Sequence, residues 1–386
     1  MSKRSWSVAA MALLSICSTA WSQQTRVGGD SVARSPRPLA PRRLAAPVRV
    51  CAGGDVTLGT NLDTVWAKHA ADTLSHLYGM SPDPDSLAPA LRPFFAGADL
   101  VVLNIEGAIG TGPAPPKCGP RSTRCFAFRQ PPNAASALRR AVDSNVVIVG
   151  NVANNHSRDA GDPGRDTTAA YLAAADIRVT GADTLATPVA LPSGDTIAIL
   201  GFHTDTASPD ARDLAAVRRH VARAAAQYGT VIVTMHLGAE GPTAQRTRNA
   251  NERFLKLNRG NPVAFASAAL MGGATLVLGH GPHVLRAVEW RGDRLIVYSL
   301  GNLLTYGPFK LREPTNRGAV VCATIDSARH VSRAELRPTM QAWPGVLRPD
   351  SSRRAFTLVD SLSALDFPRT GARVDSTGAL QKRKRP

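Results

Sequence analysis

The sequence predicts an α/β domain whose functional groups gather at the carboxyl ends of buried strands. Two observations carry this. Short apolar runs rich in β-branched residues alternate with helical patterns, and most of the runs are followed by carboxylate, amide or imidazole side chains. The runs are Val48–Ala52, Leu100–Leu103, Val146–Val149, Ile197–Leu200, Val231–Thr234, Leu276–Leu278, Leu295–Tyr298 and Ala319–Ile325. Most are bounded by Gly, Asp or Asn, which favours strands over helix fragments.

Helical patterns lie between several of these runs. Asn133 starts one that passes through Leu138 and Val142, and Asp166 or Thr167 starts another through Tyr171 and Leu172. The clearest covers Asp213 to Tyr228, with Leu214, Val217, Val221 and Ala225 on one face and arginines on the other. Pro262 opens a further helix that stops at Gly272-Gly273.

The N-terminus is of a different kind. Lys3 and Arg4 precede an apolar run from Trp6 to Ala20, and Ala20-Trp21-Ser22 supplies small residues at the expected spacing. This predicts a signal peptide over 1–22 and hence export to the periplasm, the cell envelope or the medium. Residues 23–46, rich in Arg, Pro, Ser and Gly without periodicity, read as a flexible linker. A domain over 47–345 follows, then a C-terminal extension over 346–386 with one helix, Ser352 to Leu365, and a disordered end.

Export gives meaning to the cysteines left after the signal: Cys51, Cys118, Cys125 and Cys322. A bridge between Cys118 and Cys125 would close a local loop. Cys51 and Cys322 sit in strand-like runs; they pair if those strands are neighbours, and otherwise are two buried apolar thiols. The net charge of +17 favours acidic partners, such as an anionic polymer. Arginine is scattered, however, and only 5% of residues are aromatic, so neither a basic face nor stacking groups for nucleic acid stand out.

The chemistry lies at the strand exits. Gly53-Gly54-Asp55 ends the first, Asn104-Ile105-Glu106 the second and Asn151-Val152-Ala153-Asn154-Asn155-His156 the third. Two later runs end in His236-Leu237-Gly238-Ala239-Glu240 and Gly279-His280-Gly281-Pro282-His283. Carboxylate, amide and imidazole without thiolate suit Mn, Fe or Zn in a functional site better than a structural zinc. Singly, each motif is more often a turn or a cap; together, at matching positions, they point to one site. His69, His76, His203, His220 and His330 lack this context and receive no role.

With Gly54-Asp55-Val-Thr-Leu-Gly59, Asn104-Ile-Glu106, Ala153-Asn-Asn-His156, His236-Leu-Gly-Ala-Glu240, Gly279-His-Gly-Pro-His283 and Tyr298-Ser-Leu-Gly-Asn302 in order, residues 47–310 resemble the CapA-type capsule-biosynthesis family. That family is associated with poly-γ-glutamate and belongs to the calcineurin-like metallophosphatases. The resemblance implies a metallophosphatase-like two-sheet β-sandwich flanked by helices, an α/β/β/α arrangement. It implies one or two divalent ions held by Asp55, Glu106, Asn155, His236, His280 and His283, with His156 as the catalytic imidazole. Asn104, Glu240 and Asn302 are the candidate substrate contacts, although Glu240 also suits metal or a ligand imidazole, and Gly301-Asn302 also suits a plain turn.

Two positions depart from the wider superfamily. A histidine usual two residues after the first aspartate is absent, since Val56-Thr57 follow Asp55, and Glu106 replaces an aspartate. The CapA-type pattern shares both changes. Three functions are compatible with these residues. The first is an exported metal-dependent hydrolase acting in biosynthesis or export of poly-γ-glutamate or an acidic glycan, with other capsule-assembly proteins at the membrane as partners. The second is a non-catalytic basic protein that binds such a polymer and keeps a vestigial metal site. A secreted phosphodiesterase ranks third, because the site departs from the usual phosphatase ligand set.

Overall fold

The computed structural model describes residues 43–383, apart from 61, 63, 116, 117, 119–125, 206–208 and 308. The expected signal peptide, the linker up to 42 and Cys125 with its expected bridge to Cys118 lie outside these residues.

In chain order, the strands of the two main sheets begin with β1 (Val48–Thr57), β2 (Leu100–Ile105), β3 (Val147–Asn151), β4 (Ile177–Thr180), β5 (Thr187–Ala190), β6 (Thr196–His203) and β7 (Val231–His236). They continue with β8 (Leu276–His280), β9 (Val288–Arg291), β10 (Arg294–Val297), β11 (Asn302–Thr305), β12 (Arg317–Ile325), β13 (Val331–Ala342) and β14 (Val346–Pro349). The first sheet has the order β14-β13-β12-β1-β2-β3-β4, with β11 joined in parallel to the end of β1. The second has the order β9-β10-β8-β7-β6-β5. The central strands of each sheet run parallel, and their apolar runs are buried on both faces, as parallel sheets require.

Side-chain alternation along the strands builds three apolar layers. Val50 and Ala52 of β1 and Val102 of β2 pack against Ile199, Ile232 and Leu278 of the second sheet, forming the core between the sheets. Cys51, Val101 and Leu103 face the other way, towards helices α1 (Thr64–Tyr78), α2 (Ala134–Arg140) and α3 (Gly161–Ala174). On the far side, Leu200, Val233 and Met235 meet Val217 and Val221 of α4 (Leu214–Tyr228) and Phe265 of α5 (Pro262–Gly272). The layers therefore run helix, sheet, sheet, helix.

Local chemistry explains most boundaries. Asp213 caps α4 by accepting from Ala216 N, Asn261 caps α5 ahead of Pro262, and Gly273 ends α5 in the left-handed region. The third helix begins at Gly161 rather than at Asp166 or Thr167, because Asp162 and Pro163 suit a first helical turn. Cys51 and Cys322 are direct partners across the antiparallel β1–β12 pair and form a disulfide.

The C-terminal segment needs a correction. Residues 346–349 are strand β14 of the first sheet, and α6 (Arg354–Asp366) buries Ala355, Phe356 and Val359. The expected disordered end instead carries a hairpin, Ala372–Val374 with Leu380–Lys382, whose Ala372 and Leu380 enter the core between the sheets. The domain reaches at least residue 383, and on the other side Leu44 of the expected linker is already buried. Apolar anchors spaced this widely leave no periodic trace in the sequence.

Candidate metal centre

Strand registry brings the polar exits together. Asp55 of β1 stands opposite Asn104 of β2, and Asn104 opposite Asn151 of β3. In the second sheet His203, His236 and His280 lie side by side at the ends of β6, β7 and β8. The register of β1 shifts on either side of Asp55, an irregularity that re-aims its side chain. Gly54 is needed at this bend, since a Cβ there would lie 2.0 Å from the carbonyl oxygen of Gly301. Gly281, at φ +104°, likewise brings the β8 exit against the His236 ring.

Asp55, Glu106 and His283 offer ligand atoms that all lie within 4.8 Å of one another. The Nδ1 of His283 is 3.0 Å from Asp55 Oδ2 and 3.0 Å from Asn302 Oδ1, so this nitrogen carries the proton. Its Nε2 then faces Glu106 Oε1 at 3.7 Å and Glu240 Oε2 at 3.8 Å. An imidazole whose second nitrogen is held by carboxylate or amide is the usual arrangement for a metal ligand. His283 itself sits at φ +58°, a strained backbone state typical of functional positions. His236 Nε2 lies 3.7 Å from Glu106 Oε1, and His280 Nδ1 lies 3.9 Å from Asp55 Oδ1.

These groups are almost entirely shut off from solvent, yet several of their polar atoms lack a hydrogen-bond partner among the described residues. They are both oxygens of Glu106, His236 Nε2, both nitrogens of His280 and Asn155 Oδ1, while Asp55 Oδ2 has only the His283 Nδ1 beside it. Buried polar atoms are normally satisfied, and the unpartnered atoms of Glu106, His236 and His280 beside Asp55 and His283 fit a divalent cation. Asn155 is on the same loop as His156 and is not a member of the three-residue cluster.

The electrostatics follow from burial and crowding. Burial pushes the Asp55 carboxyl up, but His283, His280 and Asn104 together hold it below its ordinary value. Burial and then the Asp55 charge push Glu106 well above its ordinary value. Burial followed by the Arg259 charge drives His236 well down, and burial takes His280 to about 4. His283 is the exception: burial alone would lower it, but Glu106, Asp55 and Glu240 raise it to about 10.

Two expected substrate contacts have other duties. Asn104 is wholly buried, donates to Asp55 Oδ1 at 2.8 Å, lies 3.2 Å from His236 Nδ1, and accepts from Asn151 at 2.9 Å. Asn302, besides touching His283, donates to the Thr315 carbonyl at 2.9 Å. Both amides are thus engaged with candidate ligand side chains inside the site. Glu240 is held by Arg259 at 2.7 Å.

His156 is not a member of the three-residue cluster. Its Nδ1 lies 2.6 Å from Asp159 Oδ2, and its ring stacks on Phe128 with centroids 3.9 Å apart. Asp159 also accepts from the Phe128 N–H at 2.7 Å, fixing ring and carboxylate as one unit.

Sequence reading misses Asp159, Arg259 and His203. Asp159 is three residues past His156, a spacing that could draw notice. The buried Arg259 has no signal among so many arginines. His203, given no role, ends strand β6 and places Nδ1 3.0 Å from the His236 carbonyl; burial and the Arg259 charge push it down to about 3.

Comparison with solved structures finds distant likenesses. A Staphylococcus aureus protein described as a putative 5'-nucleotidase, in complex with alpha-ketoglutarate, has a TM-score of 0.44 and 12% identity, over 82% of this chain and 59% of that one. A 5'-nucleotidase precursor from Thermus thermophilus has a TM-score of 0.40 and 11% identity, over 84% of this chain and 59% of its own. This chain thus spans about three fifths of the length of either. A second Thermus thermophilus protein, TT1561, has a TM-score of 0.36 and 12% identity, over 76% of this chain and 98% of its own. No curated protein matches the sequence. The profile of the bacterial capsule synthesis protein family PGA_cap matches residues 49–306, well over half of the chain, and the protein belongs to that family.

Proposed function

We propose that this protein is an exported, metal-dependent hydrolase that acts on an anionic capsule or envelope polymer, such as poly-γ-glutamate or an acidic glycan. The observation that carries the reading is the set of buried ligand atoms on Glu106, His236 and His280 that have no hydrogen-bond partner among the described residues, gathered around Asp55 and His283. Membership of a capsule synthesis family supplies the biological setting. The disulfide is consistent with export. Among the described residues, no helix is long and apolar enough to cross a membrane.

Asp55, Glu106 and His283 are the core of the proposed site for one or two ions of Mn, Fe or Zn, with His236 and His280 at its margin and Asn155, on the loop after β3, as a further proposed ligand. Such an ion polarises a phosphoryl or carbonyl oxygen and makes water acidic enough to attack at neutral pH. The chain does the rest. Asn104 and Asn302 hold the carboxylate and imidazole ligands in place. Asp159 keeps the His156 proton on Nδ1 in the neutral ring, so that Nε2 is the atom that exchanges a proton with a leaving group.

The test is metal content per chain by elemental analysis, paired with phosphoester and γ-glutamyl substrates and each metal added back. A protein that held no Mn, Fe or Zn, and whose Asp55→Ala variant matched the wild type, would sink the reading. One observation favours a non-catalytic alternative, in which the basic surface guides the polymer and the metal only braces the fold: Asp55, Glu106, His236 and His280 are 0% exposed. That version requires polymer binding which weakens with salt and survives EDTA.

A further inference from the structure

The loop after β7 carries a feature that the metal site does not use. Between Glu240 and α5 the chain forms a hairpin in which Arg253 pairs with Asn258 and Phe254 with Leu257. Its two turn residues, Leu255 at φ +47° and Lys256 at φ +68°, are both left-handed. A two-residue turn of this type selects Asn or Gly, the residues that tolerate positive φ. Here it holds a leucine, and that leucine is 77% exposed, with Leu257 beside it at 62%. Two local rules are broken at one tip.

The base of the hairpin is pinned. Glu252 accepts from Arg286 at 2.7 and 2.9 Å and from Ala239 N at 2.7 Å, while Glu252 N donates to the Gly260 carbonyl at 2.8 Å. A fixed base presents the tip instead of letting it fold back onto the body. On the hairpin, Arg253 and Lys256 are exposed and have no carboxylate partner among the described residues; Arg253 donates to the Lys256 carbonyl at 2.9 Å, which holds its guanidinium beside the tip. The nearest acid in sequence, Glu252, is taken by Arg286.

We propose that this hairpin docks the protein on an anionic bilayer surface, with Leu255 and Leu257 entering the headgroup–acyl boundary and Arg253 and Lys256 facing the phosphates. An acidic polymer would be held by the cations alone and would leave both leucines in water. A lipid interface uses both kinds of group.

The proposal is tested in the full chain with a reporter at the tip, so that attachment through any other segment does not count. Leu255→Trp is mixed with vesicles of brominated phosphatidylglycerol and phosphatidylcholine, and its emission is compared with that of wild type, which corrects for the five native tryptophans. The expected result is extra quenching on anionic vesicles and none on pure brominated phosphatidylcholine. In flotation with the same lipids, Lys256→Glu combined with Leu257→Ser lowers affinity by about tenfold or more. All three positions are exposed, so the fold is not at risk. No extra quenching, or an unchanged affinity of the double variant, overturns the proposal. So does hairpin-dependent binding of soluble polyglutamate without any response to vesicles.

Discussion

Asn104 donates to Asp55 Oδ1 at 2.8 Å and lies 3.2 Å from His236 Nδ1, so one buried amide ties a carboxylate of the first sheet to an imidazole of the second. Its own oxygen accepts from Asn151 and, at 3.3 Å, from Asn154. Removing such a support leaves the ligands in place but free to turn. Asn104→Ala is therefore expected to weaken metal affinity roughly 10- to 100-fold while the fold persists. Competition with a chromophoric chelator measures this, and an affinity equal to wild type would rule out the supporting role.

Metal binding should also be pH-dependent, in a definite direction. Without an ion, His283 is held protonated by Glu106, Asp55 and Glu240, with its titration raised to about 10. To ligate through Nε2 the ring must give up a proton, so an arriving cation displaces one. Affinity then rises with pH across the neutral range, by up to about tenfold per unit. Calorimetry in buffers of different ionisation enthalpy reads the number of protons released. A value of zero contradicts this description of His283.

The His156–Asp159 pair makes a separate claim about turnover. Asp159→Asn keeps the shape but replaces the carboxylate that orients Nδ1. If the protein is a hydrolase, the variant should lose about 100-fold or more in kcat at unchanged metal content. Loss of metal along with activity would mean that Asp159 serves the fold or the ion instead.

Stability offers a test that needs no substrate. The Cys51–Cys322 bridge joins positions 271 residues apart in the chain and lies in the core. Cross-links over long loops restrict the unfolded chain, and loss of a native bridge commonly costs about 2–5 kcal/mol. Cys51→Ala with Cys322→Ala should lower the urea midpoint accordingly without changing the site residues. An unchanged midpoint would show that strand pairing alone holds β1 to β12.

The layered α/β plan and the strand exits are legible because parallel strands deliver their polar ends to one edge, whatever the loops do. Asp55, Glu106, His236, His280 and His283 all follow from that rule. His203 obeys it too, but the apolar run stops at Leu200, before Gly201. That glycine marks a close approach within the strand: a Cβ there would lie 2.1 Å from Asn151 Oδ1. The hydrogen bonds of Asn104 to Asp55 and of Asn302 to His283 are not legible, because a polar group at a strand end looks the same in sequence whether it faces a substrate or a neighbour. Arg259 with Glu240, and Arg286 with Glu252, are buried ion pairs across irregular loops, and nothing periodic announces them. The C-terminal hairpin escapes notice for a similar reason, since Ala372 and Leu380 are lone apolar anchors in polar surroundings.

The candidate ligands are divided between the two sheets: Asp55 and Glu106 lie in or just after strands of one, His236, His280 and His283 at or just after the ends of strands of the other. A cation bound there is a rivet through two plates. Its affinity becomes a gauge of the gap between them, set by the Val50, Val102, Ile199 and Ile232 seam. A change at that seam that shifts one plate by a fraction of an ångström alters metal retention without touching a ligand, and a bound ion in turn resists any sliding of the plates.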